Sequence, residues 1–171
     1  TIPGVHVDPQ AHKHQRGRLC VLSGGRGASG AARLCAEAGL AGGAGYVTAL
    51  CPPDALSECA ASLRAVVTRS FDREADFAEV LGDHRADAAV LGPGAGLGAA
   101  TRRHVLQALG RVGALVLDAD ALTVFKDAPE TLFEAISGPC VLTPHAGEFA
   151  RLFADLADSQ TSRLQQARAA A

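Results

Sequence analysis

The feature that most constrains this chain is a repeated pairing: a short, unbroken apolar run followed by a segment of helical periodicity. The apolar runs lie at 18–22, 46–50, 65–68, 88–91, 114–117 and 140–142. A strand with one wet face alternates apolar and polar residues, whereas a continuous run is covered on both faces. Helical patterns follow at 30–40, from Pro53 to about Leu63, and at 73–81, 101–109, 131–136, 147–152 and 161–170. Ser29 stands as the expected N-cap of the first, and Ala75, Phe77, Ala78, Val80 and Leu81 give the third its apolar stripe. Strand alternating with helix predicts an α/β domain: a doubly wound, mostly parallel sheet with helices on both faces. Residues 1–17 are polar, carry Pro3, Gly4, Pro9 and Gly17, and read as a leading arm or linker to a domain over 18–171.

Composition supports one domain and narrows its partners. The 171 residues contain 48% hydrophobic residues, no Trp, no Met and one Tyr, so the core must be built from small, closely packed aliphatic side chains. A net charge of -2 and a pI near 6.3 lack the basic surplus of a nucleic-acid binder. No apolar stretch approaches the roughly 18–20 residues of a membrane helix. Residues 1–18 lack the apolar core of a secretion signal, which predicts a cytoplasmic protein. The start at Thr1 and the Arg168-Ala169-Ala170-Ala171 end read as cut termini. Cys20, Cys35, Cys51, Cys59 and Cys140 are odd in number and form no CxxC, as expected of small buried hydrophobes in a reducing compartment. His12-Lys13-His14 lacks a third ligand at metal spacing, and no metal site is expected.

In an open parallel sheet, ligands bind beyond the carboxyl ends of the strands. The unusual residues of this chain stand at such ends: Ser23-Gly24-Gly25, Gly92-Pro93-Gly94-Ala95-Gly96, Asp118-Ala119-Asp120 and Thr143-Pro144-His145 with Glu148. Topology should bring all of them to one edge. The glycines at 24, 25, 27 and 30 match a phosphate-cradling loop, whose bare amides at a helix start attract anions, and equally a tight strand-to-helix turn. Gly92, Gly94 and Gly96 fit a backbone that approaches a ligand or adopts positive φ. Asp118 and Asp120, two apart, can project to one side toward a metal, a hydroxyl or a cation, while Asp120 alone can cap a following helix. His145 at a helix start is expected to be neutral and to hydrogen-bond a ligand or to cap locally, and Glu148 can complete a capping arrangement.

With these residues the chain resembles the C-terminal catalytic domain of the NAD(P)H-hydrate dehydratases, ribokinase-like proteins also described as carbohydrate kinases. The matching segments are His12-Lys13, Arg16-Gly17-Arg18, Ser23-Gly24-Gly25, Ser29-Gly30-Ala31-Ala32-Arg33-Leu34, Gly43-Ala44-Gly45-Tyr46-Val47-Thr48, Gly92 to Gly96, Leu117-Asp118-Ala119-Asp120-Ala121-Leu122 and Leu142-Thr143-Pro144-His145-Ala146-Gly147-Glu148-Phe149. They occur in family order and cover most of the chain. Ala95, Ala146 and Ala41 depart from the family's usual Leu, Pro and Arg.

The resemblance implies repair of hydrated nicotinamide cofactors. Water added across a ring double bond of NADH or NADPH is removed from the S epimer by phosphorylation of the hydroxyl and elimination of phosphate. ADP or ATP would be co-substrate, with Mg2+. By family position Ala31, Gly96 and His145 contact the hydrate, with Gly25, Gly92, Gly94, Asp118, Asp120 and Glu148 forming an anion- or metal-linked rim. A fused or separate epimerase domain and a homo-oligomer are the implied partners. The family's GxGD loop, whose Asp is the base, is absent from these residues, and Lys126 in Phe125-Lys126-Asp127 does not fit its Lys-Gly motif. The expectation is the substrate-side portion of a fold truncated at its C-terminus, with no catalytic residue assigned and little activity alone. A sugar or vitamin kinase of the same fold, or a non-catalytic binding fragment, are the alternatives.

Overall fold

A computed structural model describes residues 13–159 and 161–171. Its strands are β1 (Arg18–Leu22), β2 (Tyr46–Cys51), β3 (Val67–Ser70), β4 (Ala88–Leu91), β5 (Ala114–Leu117) and β6 (Cys140–Leu142). They form a single sheet in the order β3-β2-β1-β4-β5-β6. Every neighbouring pair is parallel, and in the centre Val21 stands opposite Ala49 on one side and Val90 on the other. The chain winds outward from β1 to β3, then returns to β4 and winds to β6. The order therefore reverses between β1 and β4, the switch point beside whose carboxyl ends open parallel sheets bind ligands.

The helices are α1 (Gly30–Ala41), α2 (Leu56–Ser62), α3 (Phe77–Asp83), α4 (Ala99–Leu109), α5 (Asp120–Thr123), α6 (Pro129–Ala135), α7 (Ala146–Leu152), α8 (Ala154–Ala157) and α9 (Arg163–Ala170). Successive strand residues feed two separate cores, as the pleat requires. Val21, Val47, Ala49 and Cys51 pack with Ala32 and Ala36 of α1 and Cys59 of α2. Cys20, Leu22, Leu50, Ala89 and Leu91 pack on the other face with Phe77 and Leu81 of α3 and Val105 and Ala108 of α4. Three of the cysteines, Cys20, Cys51 and Cys59, are buried, and burial pushes the Cys20 thiol up to about 12. Among the described residues no helix is long and apolar enough to cross a membrane.

Several boundaries differ from the sequence pattern. The third strand begins at Val67, because Val66 is already buried in the α1/α2 core before the ladder with β2 starts. The helix expected over 73–81 starts four residues later. Asp76 accepts the amides of Ala78 and Glu79, and Asp72 turns the preceding segment through the Glu74 amide, so acidic side chains stop the apolar periodicity from extending backward. The last helix starts at Arg163, with Ser162 and Gln165 in a reciprocal capping box. The one-turn helices α5 and α8 had no periodic signal. Of the expected arm, Lys13–Arg16 form a 3-10 turn, while residues 1–12, including the His12 of the family-like segment, lie outside the described residues.

Candidate active site

Because every strand pair is parallel, the residues that follow the six strands leave from one edge of the sheet. Gly94 and His145, after β4 and β6, therefore share that edge. At the reversal point the two glycine turns interlock. A methyl on Gly24 would overlap the Gly94 carbonyl, and one on Gly94 would overlap the Ala28 carbonyl. Gly92, at φ +128, lies so close to the Asp118 carbonyl that only a residue without Cβ fits. The third cluster is thereby pressed against the second.

The turn over 92–98 is braced from three sides. Arg73 and the Thr101 hydroxyl both donate to the Ala95 carbonyl. The Arg73 carbonyl in turn accepts Arg103 and His104 Nε2. Gly96 donates its amide to Asp120 Oδ2 at 2.8 Å. The Gly96 amide is thus already taken by a carboxylate of the chain. What Gly96 leaves open is space: at φ +88 it has no atom within 4 Å of where a Cβ would stand.

The same bond corrects the capping alternative for Asp120. Ala119, at φ +48, is the N-cap of α5, while Asp120 lies in its first turn and turns its carboxylate to Gly96. Asp118 is half-buried at the end of β5. Among the described residues no three His, Cys, Asp or Glu side chains gather as a metal site would require.

The glycine loop after β1 holds anions of its own. Asp54 accepts the Arg26 amide at 3.0 Å, and Glu58 accepts the Gly27 amide at 3.0 Å and the Ser29 hydroxyl. The Gly27 amide, then the Ser29 hydroxyl, hold the Glu58 carboxyl below the usual carboxylate range. Of the glycine amides expected to cradle a phosphate, that of Gly27 is thus taken by a side-chain carboxylate, as is the neighbouring Arg26 amide. Gly25 is packed beside Asp54. Ser29 stands at the N-cap of α1 as expected, but its hydroxyl goes to Glu58 and caps nothing. Ala31, in the first turn, is exposed.

After β6, His145 and Glu148 cap α7 reciprocally. His145 Nδ1 accepts the amides of Gly147 and Glu148, and the Glu148 carboxylate accepts the His145 amide at 2.9 Å. A ring nitrogen that accepts carries no proton, so the ring hydrogen sits on Nε2, which lies 3.4 Å from Glu148 Oε1. Glu148 is buried while the His145 ring is exposed. The local capping alternative for both residues is therefore present. His145 also lines a groove of about 1220 Å³ beside β6, with Leu142, Phe149, Phe153, Arg163 and Gln166 among its walls.

The structure thus joins Gly92 to Asp118, Gly94 to the loop after β1, Gly96 to Asp120, and His145 to Glu148. It does not bring Ala31 or Gly96 into the groove that His145 lines. The bracing residues Asp54, Glu58, Arg73 and Thr101 escaped the sequence reading. Asp54 and Glu58 stand four apart after Pro52-Pro53, a spacing that puts two carboxylates at a helix start. Nothing local says they face the glycine loop.

The sequence profile of the family described as NAD(P)H-hydrate dehydratase matches residues 19–171. The chain is 38% identical to the bifunctional NAD(P)H-hydrate repair enzyme of Gloeobacter violaceus, over 86% of this chain and 29% of that protein. It is 34% identical to the ADP-dependent (S)-NAD(P)H-hydrate dehydratase of Xanthomonas campestris pv. campestris, over 86% of this chain and 52% of that protein. The fold resembles the ADP/ATP-dependent NAD(P)H-hydrate dehydratase from Bacillus subtilis co-crystallized with ATP/Mg2+, with TM-score 0.75 and 25% identity over 96% of this chain and 56% of that one. It resembles a ribokinase-like superfamily protein from Enterococcus faecalis with TM-score 0.71 and 25% identity, over 95% of this chain and 58% of that one. The chain therefore spans about half of the single-function relative and less than a third of the bifunctional one. The fold is ribokinase-like, and the chain belongs to the NAD(P)H-hydrate dehydratase family.

Proposed function

We propose that this chain binds hydrated NADH or NADPH at the carboxyl edge of its sheet, as the substrate side of an ADP- or ATP-dependent dehydratase acting on the S epimer. The observation that carries the reading is the braced turn at the reversal point. There Gly96, fixed by Asp120, leaves side-chain-free space beside the interlocked loop that leads to the exposed Ala31. Ala31 and Gly96 offer close backbone approach to a flat ring, and His145 Nε2 offers one hydrogen-bond donor. Gly25, Gly92, Gly94 and Asp118 hold the turns that carry these contacts. An epimerase, fused or separate, a homo-oligomeric state and a cytoplasmic setting belong to the same reading.

The loop after β1 does not offer all of its amides to a nucleotide phosphate. The amides of Arg26 and Gly27 are taken by Asp54 and Glu58, and the 171 residues contain no GxGD. A Mg2+ ion held with a nucleotide normally takes one or two carboxylates and the phosphates themselves, and Asp120 is engaged with Gly96. No step through nucleotide or metal is assigned to these residues. Calorimetric titration of the purified chain with hydrated NADPH and, separately, with intact NADPH tests the reading. Saturable binding of the hydrate in preference to the intact cofactor is expected; equal or absent binding refutes it.

A further inference from the structure

We propose that Glu58 is a positioning residue for the hydrate site, setting the first turn of α1 by holding the Gly27 amide and the Ser29 hydroxyl together; this rests on the functional reading above. Glu58 lies in the first turn of α2, on a different crossover from the loop it holds. Its Oε2 accepts Gly27 and its Oε1 accepts Ser29, so one rigid carboxylate spans the last turn of the loop before α1. Arg33, one turn into α1, brings its Nη2 to 3.8 Å from the same carboxylate. Ser29 is fully buried and its hydroxyl is spent on this contact instead of on capping, which leaves the first amides of α1 without a side-chain cap.

The consequence runs beyond the loop. The 23–30 segment touches Gly94 through Ala28 and Gly24, so a shift of the segment moves the turn that carries Gly96. Glu58 therefore acts at once on Ala31, two residues past Ser29, and on the glycine turn opposite. Asp54 holds only the neighbouring Arg26 amide and leaves Ser29 untouched.

Hydrate affinity and melting temperature of the 171-residue chain test this with four variants. Glu58→Ala should weaken hydrate binding about tenfold, as for two lost hydrogen bonds to a charged group partly replaced by water. Glu58→Gln should restore most of it, because its oxygen can accept Gly27 and its nitrogen can donate to Ser29 Oγ. Glu58→Met, of similar length but without polar atoms, should not. Ser29→Ala breaks the same link from the α1 side and should weaken binding in the same direction. Rescue by Met as complete as by Gln, or affinity unchanged in Glu58→Ala while melting drops, overturns the assignment alone. Failure of the unaltered chain to bind the hydrate overturns the functional reading and the assignment with it.

Discussion

The Asp120 carboxylate accepts the Gly96 amide at 2.8 Å, and this bond ties the end of β5 to the glycine turn that follows β4. It joins two strand-end clusters that lie 24 residues apart in the chain. Asp120→Ala removes the acceptor and frees a turn held at positive φ. Hydrate affinity is expected to fall by about 1–2 kcal/mol, the cost of a lost charge-assisted hydrogen bond. Calorimetry on the variant checks this, and affinity equal to that of the unaltered chain contradicts it.

Gly92 and Gly96 both adopt positive φ but differ in their surroundings. A Cβ on Gly96 meets nothing within 4 Å, so Gly96→Ala should cost only the backbone strain, about 1–2 kcal/mol. A Cβ on Gly92 overlaps the Asp118 carbonyl, so strain and overlap combine and Gly92→Ala should cost at least about 3 kcal/mol. Denaturant melts of the two variants should rank them in that order.

His145 serves as the cap of α7 through Nδ1, which leaves Nε2 as its donor. His145→Ala should therefore cost about 0.5–2 kcal/mol of stability, as for other N-caps. His145→Asn keeps a capping acceptor and loses the imidazole N–H. If His145 contacts the hydrate, Asn should hold the melting temperature and lose affinity. Full affinity in His145→Asn removes His145 from the site.

His104 packs between Phe71 and Phe77 with 1% exposure, and its Nδ1 has no hydrogen-bond partner. Burial lowers its pKa below the ordinary 6.5, so the unfolded chain takes up a proton there before the folded one does. Its contribution is complete above about 6.5 and is lost as pH falls from there toward the lowered native value. His84, lowered by burial and then by Arg69, acts in the same direction. The melting temperature should fall on acidification through this window, and His104→Gln should flatten part of the slope. A slope unchanged by the substitution rules out His104 as its source.

Residues 1–171 carry no GxGD loop. With hydrated NADH or NADPH, ADP or ATP, and Mg2+, the purified chain should turn over at least about 10²–10⁴-fold more slowly than an intact relative, the usual loss when a positioned base is missing. Release of inorganic phosphate is the readout. Turnover matching the relative would locate a base within residues 1–171.

The sequence by itself determined the α/β class, the parallel strands and the one edge that the four strand-end clusters share. Those follow from short-range facts: unbroken apolar runs must be covered on both faces, and glycine, aspartate and histidine at their ends must share an edge once the strands are parallel. The tertiary structure alone decided what each of those residues touches. Asp120 turned to Gly96 and not to a cap, Ser29 gave its hydroxyl to Glu58, and Glu58 filled the Gly27 amide that the glycine spacing had offered to a phosphate while Asp54 took that of Arg26. A side chain chooses among competing donors by distance and burial. The winning partners stand 24 to 31 residues away, beyond any local pattern.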